Sequence, residues 1–298
     1  MKRVCKRKVI IDALTVCYEV EKPHHYEQLS KLNFGECYDL NEFKLYRVEG
    51  RYYQNIYNIV AYNGIEDIEF GQLKFNLNRG LTESNTHDNG KTKAWISLNN
   101  RTFYSDNLHY LSYIDATLGL VAHNVTSIDL ALDTPFNVSN QVKRLIRDKH
   151  VTTMLNGKLV KDRDKDRPEI SYTLSGSLNR DKYMTVNIKQ KKAIRDKAKG
   201  TTIISYDKEA EIRNSSGKDY ILAYYGNPTK LYRTEVHLNY EQIKEYFQSQ
   251  ENDWKRFYGF LNDAVREELF FHHLNSVIQF RKGKKHILWE QLLGRESI

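Results

Sequence analysis

The stretch SIDLALD, residues 127–133, decides the fold. Side chains alternate across a strand, so Ile128, Leu130 and Leu132 share one face and Asp129, Ala131 and Asp133 the other. Three further segments have the same design. In KYMTVNIK (182–189), Met184, Val186 and Ile188 oppose Thr185, Asn187 and Lys189. In RTEVHL (233–238), Val236 and Leu238 oppose Arg233, Glu235 and His237. In TIISYDK (202–208), Ile204, Tyr206 and Lys208 align with Asp207 opposite; Ile204 makes this the least clean of the four. As neighbours these strands form a sheet with one apolar face and one face of acids, a lysine, an arginine, a histidine and a tyrosine. A solvated antiparallel face is polar by default. Acids at mid-strand, where Asp is disfavoured, argue for more than that. Asp129 and Asp133 lie roughly 13 Å apart at about 3.3 Å per residue, too far to hold one ion together. Asp129 is the ligand candidate. Asp133, just before Thr134 and Pro135, reads as a strand-end or turn residue.

On either side of these strands the pattern changes. VSNQVKRLIRDKH reads as a helix with Val142, Leu145 and Ile146 inward and Ser139 as its cap. KDRDKDRP reads as a solvated loop. Earlier in the chain, CKRKVIIDALTVCYEV is a strand, and FKLYRVEG with RYYQNIYNIVAYN forms a hairpin around Gly50. IEFGQLKFNL and KAWISLNNRTFYS are strands separated by a polar loop at 82–91. LHYLSYIDATLGLVA has helical spacing through Leu108, Leu111, Ile114 and Leu118. Near the end, NYEQIKEYFQ is a short helix. NDWKRFYGFLNDAVREELFFHHL is an amphipathic one, with Trp254, Phe257, Tyr258, Leu261, Val265 and Leu269 on one face. RKGKKH (281–286) is a small basic cluster. The expectation is an α+β protein of antiparallel sheets with packed helices, its two strand-plus-helix halves suggesting a duplicated sheet unit, and a C-terminal helical segment. The expected parts are a β-rich half at 1–122, a catalytic sheet half with a basic hairpin at 123–240, and the helical segment at 241–298.

The chain has 298 residues, 40% of them hydrophobic, and no long apolar run, so no transmembrane helix and no membrane partner are expected. The start, MKRVCKRKVIIDALTV, has a positive flank, but Asp12 interrupts the apolar run and no small-residue cleavage site follows, which argues against a signal peptide. Cys5, Cys17 and Cys37 make no complete disulfide framework and no CxxC pair, so a reducing cytoplasm is expected. The net charge is +8, and residues 141–200 alone carry +10. Such a field attracts phosphate backbones. The phosphate-contact candidates are Arg180, Lys182, Lys189, Lys191, Lys192 and Arg195 in the basic stretch, with Arg233.

The order of segments resembles the replication-initiation-factor family (Rep_trans type) of rolling-circle initiators and related relaxases. VIIDALTV resembles its opening strand, and KAWISLNNRTFYS falls where the family has a strand and short loop. SIDLALD resembles its R-I-D-L-A-x-D strand, with Ser127 for the arginine. LSGSLNRDKY resembles its G-S-R-x-S-D-K-Y segment, YDKEAE (206–211) its Y-x-K-x-x-E motif, and YRTEVHL its R-x-E strand. The resemblance implies a site-specific DNA nicking and joining enzyme that initiates rolling-circle replication or conjugative transfer. Tyr206 would be the nucleophile and Lys208 would stabilise the phenolate or the phosphate. Asp129 and Glu235, with Glu211, would hold Mg²⁺ or Mn²⁺, and the product would be a 5′-phosphotyrosine. It implies as partners an origin in single-stranded or extruded-hairpin form, a second copy of the chain, and a host helicase. Two departures stand out. No His-hydrophobic-His motif is present, only the adjacent pairs His24-His25 and His272-His273. Gly176-Ser177 is also separated from Tyr206 by NIKQKKAIRDKAKG. Either that stretch is an inserted hairpin or Asn187 occupies the tyrosine slot; the complete YDKEAE favours insertion. The rival readings are a catalytically silent DNA-binding protein and a metal-dependent nuclease that uses water.

Overall fold

The computed structural model describes residues 8–62, 66–77, 93–160, 170–174, 184–189, 200–248, 259–260 and 262–294. In chain order, the first elements are β1 (Ile10–Val20), α1 (Pro23–Lys31), β2 (Cys37–Asp39), β3 (Phe43–Val48), β4 (Tyr53–Tyr62), β5 (Asp67–Leu77), β6 (Lys93–Leu98) and α2 (Tyr110–Leu118). Then come β7 (Leu120–Thr134), α3 (Val138–Arg147), β8 (Val151–Leu155), β9 (Lys158–Leu159), β10 (Ile170–Leu174), β11 (Met184–Lys189), β12 (Thr202–Asp207) and α4 (Lys208–Glu211). The last are α5 (Asp219–Tyr224), β13 (Tyr232–Asn239), α6 (Tyr240–Gln248), α7 (Asp263–Val277), β14 (Ile278–Lys282), β15 (Lys285–Ile287) and α8 (Trp289–Leu292). The fold is α+β, with antiparallel sheets and packed helices.

The chain divides into two compact units. One comprises Met1–Asp12, Asp129–Glu251 and Tyr258–Ile298, the other Ala13–Ile128 and Asn252–Phe257. This differs from the three parts expected, since α6 and α7 share a unit with β10–β13 instead of forming a separate segment.

In the Ala13–Ile128 unit the strand order is β1-β6-β5-β4-β3-β2, with every neighbouring pair antiparallel. The Gly50 hairpin is present as β3 and β4. Helix α1, not among the expected elements, opens with Pro23, whose missing N–H costs nothing in a first turn. Leu29 and Tyr26 are buried, and the Tyr57 hydroxyl donates to the Leu29 carbonyl at 2.6 Å. Helix α2 buries Leu111, Ile114 and Leu118 and ends at Gly119 in the left-handed region (φ 61°). Because of that stop, LVA (120–122) begins strand β7 instead of extending the helix.

In the other unit the order is β10-β11-β12-β13-β7. The alternation expected of the sequence is present: Leu130, Leu132, Val186, Ile188, Val236 and Leu238 are all buried. Helices α3 and α7 cover that face, contacting β11, β12 and β13. Helix α3 is capped by the Asn137 side chain, with Ser139 inside the helix and buried. The two hydroxyls on the buried face, Ser205 and Thr234, satisfy each other at 3.0 Å. Helix α7 starts later than its apolar pattern suggested, at Asp263, where the Asn262 side chain accepts the Ala264 N–H; Trp254, Phe257, Tyr258 and Leu261 lie outside the described residues. A small sheet, β15-β14-β8-β9, completes the unit. Its strands β8 and β9 are not among the expected elements.

Candidate active site

Strand register brings the polar side chains together. Tyr206 lies directly opposite Arg233 across β12 and β13, and Ile204 opposite Glu235. Residues two apart share a face, so the phenol reaches Glu235 on the diagonal. The Tyr206 hydroxyl donates to Glu235 Oε1 at 2.6 Å and accepts from Lys208 Nζ at 3.2 Å. Lys208 is buried and pairs with Glu211 at 2.8 Å. The expected strand position of Lys208 is corrected by the fold. The strand ends at Asp207, whose carboxylate accepts the Ala210 N–H and starts α4, and Lys208 is the first helical residue. The turn folds its ammonium back over the ring of Tyr206 at 5.5 Å from the centroid.

Arg233 has no exposed surface. Its Nε and Nη2 donate to the two oxygens of Asp133 at 2.7 and 2.6 Å, and its Nη1 to Asp12 at 2.5 Å. The same Nη1 stands 3.6 Å from Glu235 Oε1. The phosphate contact expected of Arg233 is therefore corrected: a buried guanidinium spent on two carboxylates has no face to offer a ligand. Of the two readings of Asp133, strand end or turn, the structure has the first: it is the penultimate residue of β7, buried and gripped by a two-pronged ion pair, the geometry for which the planar guanidinium is suited. Asp12, which interrupts the apolar run of β1, is the second acid on Arg233. An acid inside VIIDALTV is itself the signal, because a carboxylate there requires a cationic partner.

Asp129 sits on the same face as Asp133 but faces a different residue. Its carboxylate meets His237 Nδ1, and His237 Nε2 lies 3.2 Å from Asn239 Oδ1. The three acids expected to share a metal are thus each engaged elsewhere: Asp129 with His237, Glu235 with Tyr206 and Arg233, and Glu211 with Lys208. Among the described residues no three groups of ligating type are placed to hold one metal ion. This arrangement does not fit the Mg²⁺ or Mn²⁺ set that the resemblance implies. Of the phosphate-contact candidates, Lys189 is exposed at the end of β11, while Arg180, Lys182, Lys191, Lys192 and Arg195 lie outside the described residues. Gly176 and Ser177 lie outside them as well. Asn187 is on β11 beside Ile204, one strand removed from Glu235.

Burial and its neighbours tune the site. Loss of water raises Glu235 above the usual carboxylate range, with Arg233 opposing the shift. Burial, then the Glu235 charge, raises the Tyr206 phenol. Tyr225 is raised by burial first and by the Asp133 charge next. The cluster holds four carboxylates (Asp12, Asp133, Glu211, Glu235) against two cations (Arg233, Lys208), so a standing phenolate is disfavoured. What the geometry offers is a neutral phenol whose proton already points at a basic carboxylate.

Compared with known proteins, the chain matches no family model and no curated protein. Among the described residues no helix is long and apolar enough to cross a membrane.

Proposed function

We propose that this protein is a tyrosine DNA strand transferase that nicks and rejoins a phosphodiester to start rolling-circle replication or transfer. One observation carries the reading: the Tyr206 hydroxyl donates to Glu235 at 2.6 Å while Lys208 donates to the same oxygen at 3.2 Å. As the phenol oxygen attacks phosphorus, its proton passes to Glu235, which acts as general base. Lys208 stabilises the charge that develops on the phenol oxygen. The P–O3′ bond breaks, the 3′-oxygen leaves and takes a proton from solvent, and the 5′-phosphate remains on Tyr206. Reversal by a 3′-hydroxyl restores the phenol and reseals the strand. The ordered motifs from SIDLALD to YRTEVHL support DNA as the substrate. The reading includes a cytoplasmic setting, single-stranded or extruded origin DNA, a second copy of the chain and a host helicase as partners.

A second reading, a silent DNA-binding protein on the same scaffold, is favoured by the burial that raises the phenol. The deciding measurement is incubation with a labelled single-stranded oligonucleotide in buffer containing Mg²⁺, followed by mass analysis of the tryptic peptide bearing Tyr206. A nucleotide adduct that vanishes in Tyr206→Phe, with DNA binding retained, upholds transfer. No adduct from the parent protein leaves the silent binder. Cleavage without an adduct assigns hydrolysis.

A further inference from the structure

The small sheet carries a feature that the Tyr206 chemistry does not use. Strands β14 and β15 form a hairpin whose register sets Lys282 opposite Lys285 and Arg281 opposite His286. Lys284 and Gly283 make the turn, with Gly283 in the left-handed region (φ 59°). All six residues from Arg281 to His286 are exposed, with four full positive charges and no acid among them. None of the five charged or titratable side chains has an ion-pair partner among the described residues. On the other side of β14, Lys282 pairs with Val151 and Arg281 with Thr152, so exposed Lys149 and His150 adjoin the tip. The nearest acid on that turn, Asp148, accepts the His150 N–H at 2.8 Å.

Like charges directly opposite on antiparallel strands oppose folding. A rigid base holds them there. Trp289 is buried, and its indole N–H donates to the Ile278 carbonyl at 3.1 Å. We infer that this hairpin grips the phosphate backbone of nucleic acid, which relieves the repulsion when it binds. The tip has no apolar side chain to enter an acyl layer and no aromatic or aliphatic anchor of the kind protein partners require. Cations in a regular two-strand array suit a regular array of phosphates. Strands β14 and β8 follow α7 and α3, the helices on the apolar face of the large sheet, so the grip is separate from the Tyr206 face. It positions DNA without reading sequence. The inference rests on the proposed function only in naming the polyanion as nucleic acid.

The test uses full-length Tyr206→Phe protein, a fluorescent duplex oligonucleotide and a salt titration. Replacing Lys282, Lys284 and Lys285 together by alanine should lower the slope of log affinity against log salt by about two to three, at about 0.9 per lost phosphate contact. Lys285→Glu should lower the slope and also raise Tm at low salt, because a repulsive pair becomes attractive. An unchanged slope in the triple variant overturns the grip, and so does a lower Tm for Lys285→Glu. Equal loss of binding to polyglutamate or to phosphatidylserine vesicles overturns the nucleic-acid assignment. A protein that forms no Tyr206 adduct yet shows the slope change keeps the grip and loses only the transferase reading.

Discussion

Tyr206 faces Arg233 squarely across the β12–β13 ladder, yet its hydroxyl bonds the next residue on that face, Glu235. Arg233 is drawn the other way by Asp133 and Asp12. The arginine braces this face through those two acids and stands 3.6 Å from Glu235, whose short contact is with the phenol.

Glu235→Gln should therefore separate chemistry from structure. The amide oxygen still accepts the phenol O–H, but it no longer takes the proton. Single-turnover adduct formation should fall about 10²–10⁴-fold, the usual worth of a positioned base, with DNA affinity within about twofold of parental. A rate within tenfold of parental would remove Glu235 from the proton path.

Its elevated titration gives a second handle. A carboxyl held above its usual range in the fold binds its proton more tightly folded than unfolded. Its contribution is thus fully present below the ordinary glutamate value and is lost as pH rises through the folded one. Glu235→Gln, which never ionises, should gain in Tm over the parent as pH climbs from acidic to neutral. A Tm difference that is flat across that window, followed by calorimetry, would contradict the burial described here. The adduct rate should fall on the acid side, and that limb should be missing from the variant.

How much of this was legible in the sequence follows from which forces are local. Period-two alternation placed Leu130, Leu132, Val236 and Leu238 inward and Asp129, Glu235 and His237 outward, because strand geometry alone sets it. Pairings could not be read the same way. Asp133 and Arg233 are 100 residues apart and Asp12 and Arg233 are 221 apart, and only the order β13-β7-β1 makes them neighbours. Lys208 fits the strand period as far as the letters go; the Asp207 cap, a local signal overlooked within a motif, turns the chain into α4.

Arg233→Met should test the buried ion cluster. It leaves Asp133 and Asp12 without their cation, at a cost of about 3–5 kcal/mol in denaturant unfolding. Arg233→Lys should recover only part of that, because an ammonium cannot make the two-pronged contact with Asp133. Adding Asp133→Leu to Arg233→Met should restore some stability by removing an uncompensated charge. Additive losses in that double variant would mean the two residues do not act as a pair.

Lys208 is the last element of the phenol's environment, and two substitutions distinguish its charge from its placement. Lys208→Met keeps the buried stem and removes the donor to Tyr206, so adduct formation should drop about 10²–10³-fold, as when a preorganised donor to a developing anion is lost. Asp207→Ala leaves the ammonium intact but removes the carboxylate that accepts the Ala210 N–H, costing about 1 kcal/mol of stability. If the cap is what folds Lys208 back over Tyr206, this variant should also lose rate, by less than Lys208→Met, and Asp207→Asn or Asp207→Ser should rescue it, since either side chain caps a helix. Failure of both to rescue, with helix content restored by circular dichroism, would show that Lys208 reaches the phenol without the turn that Asp207 begins.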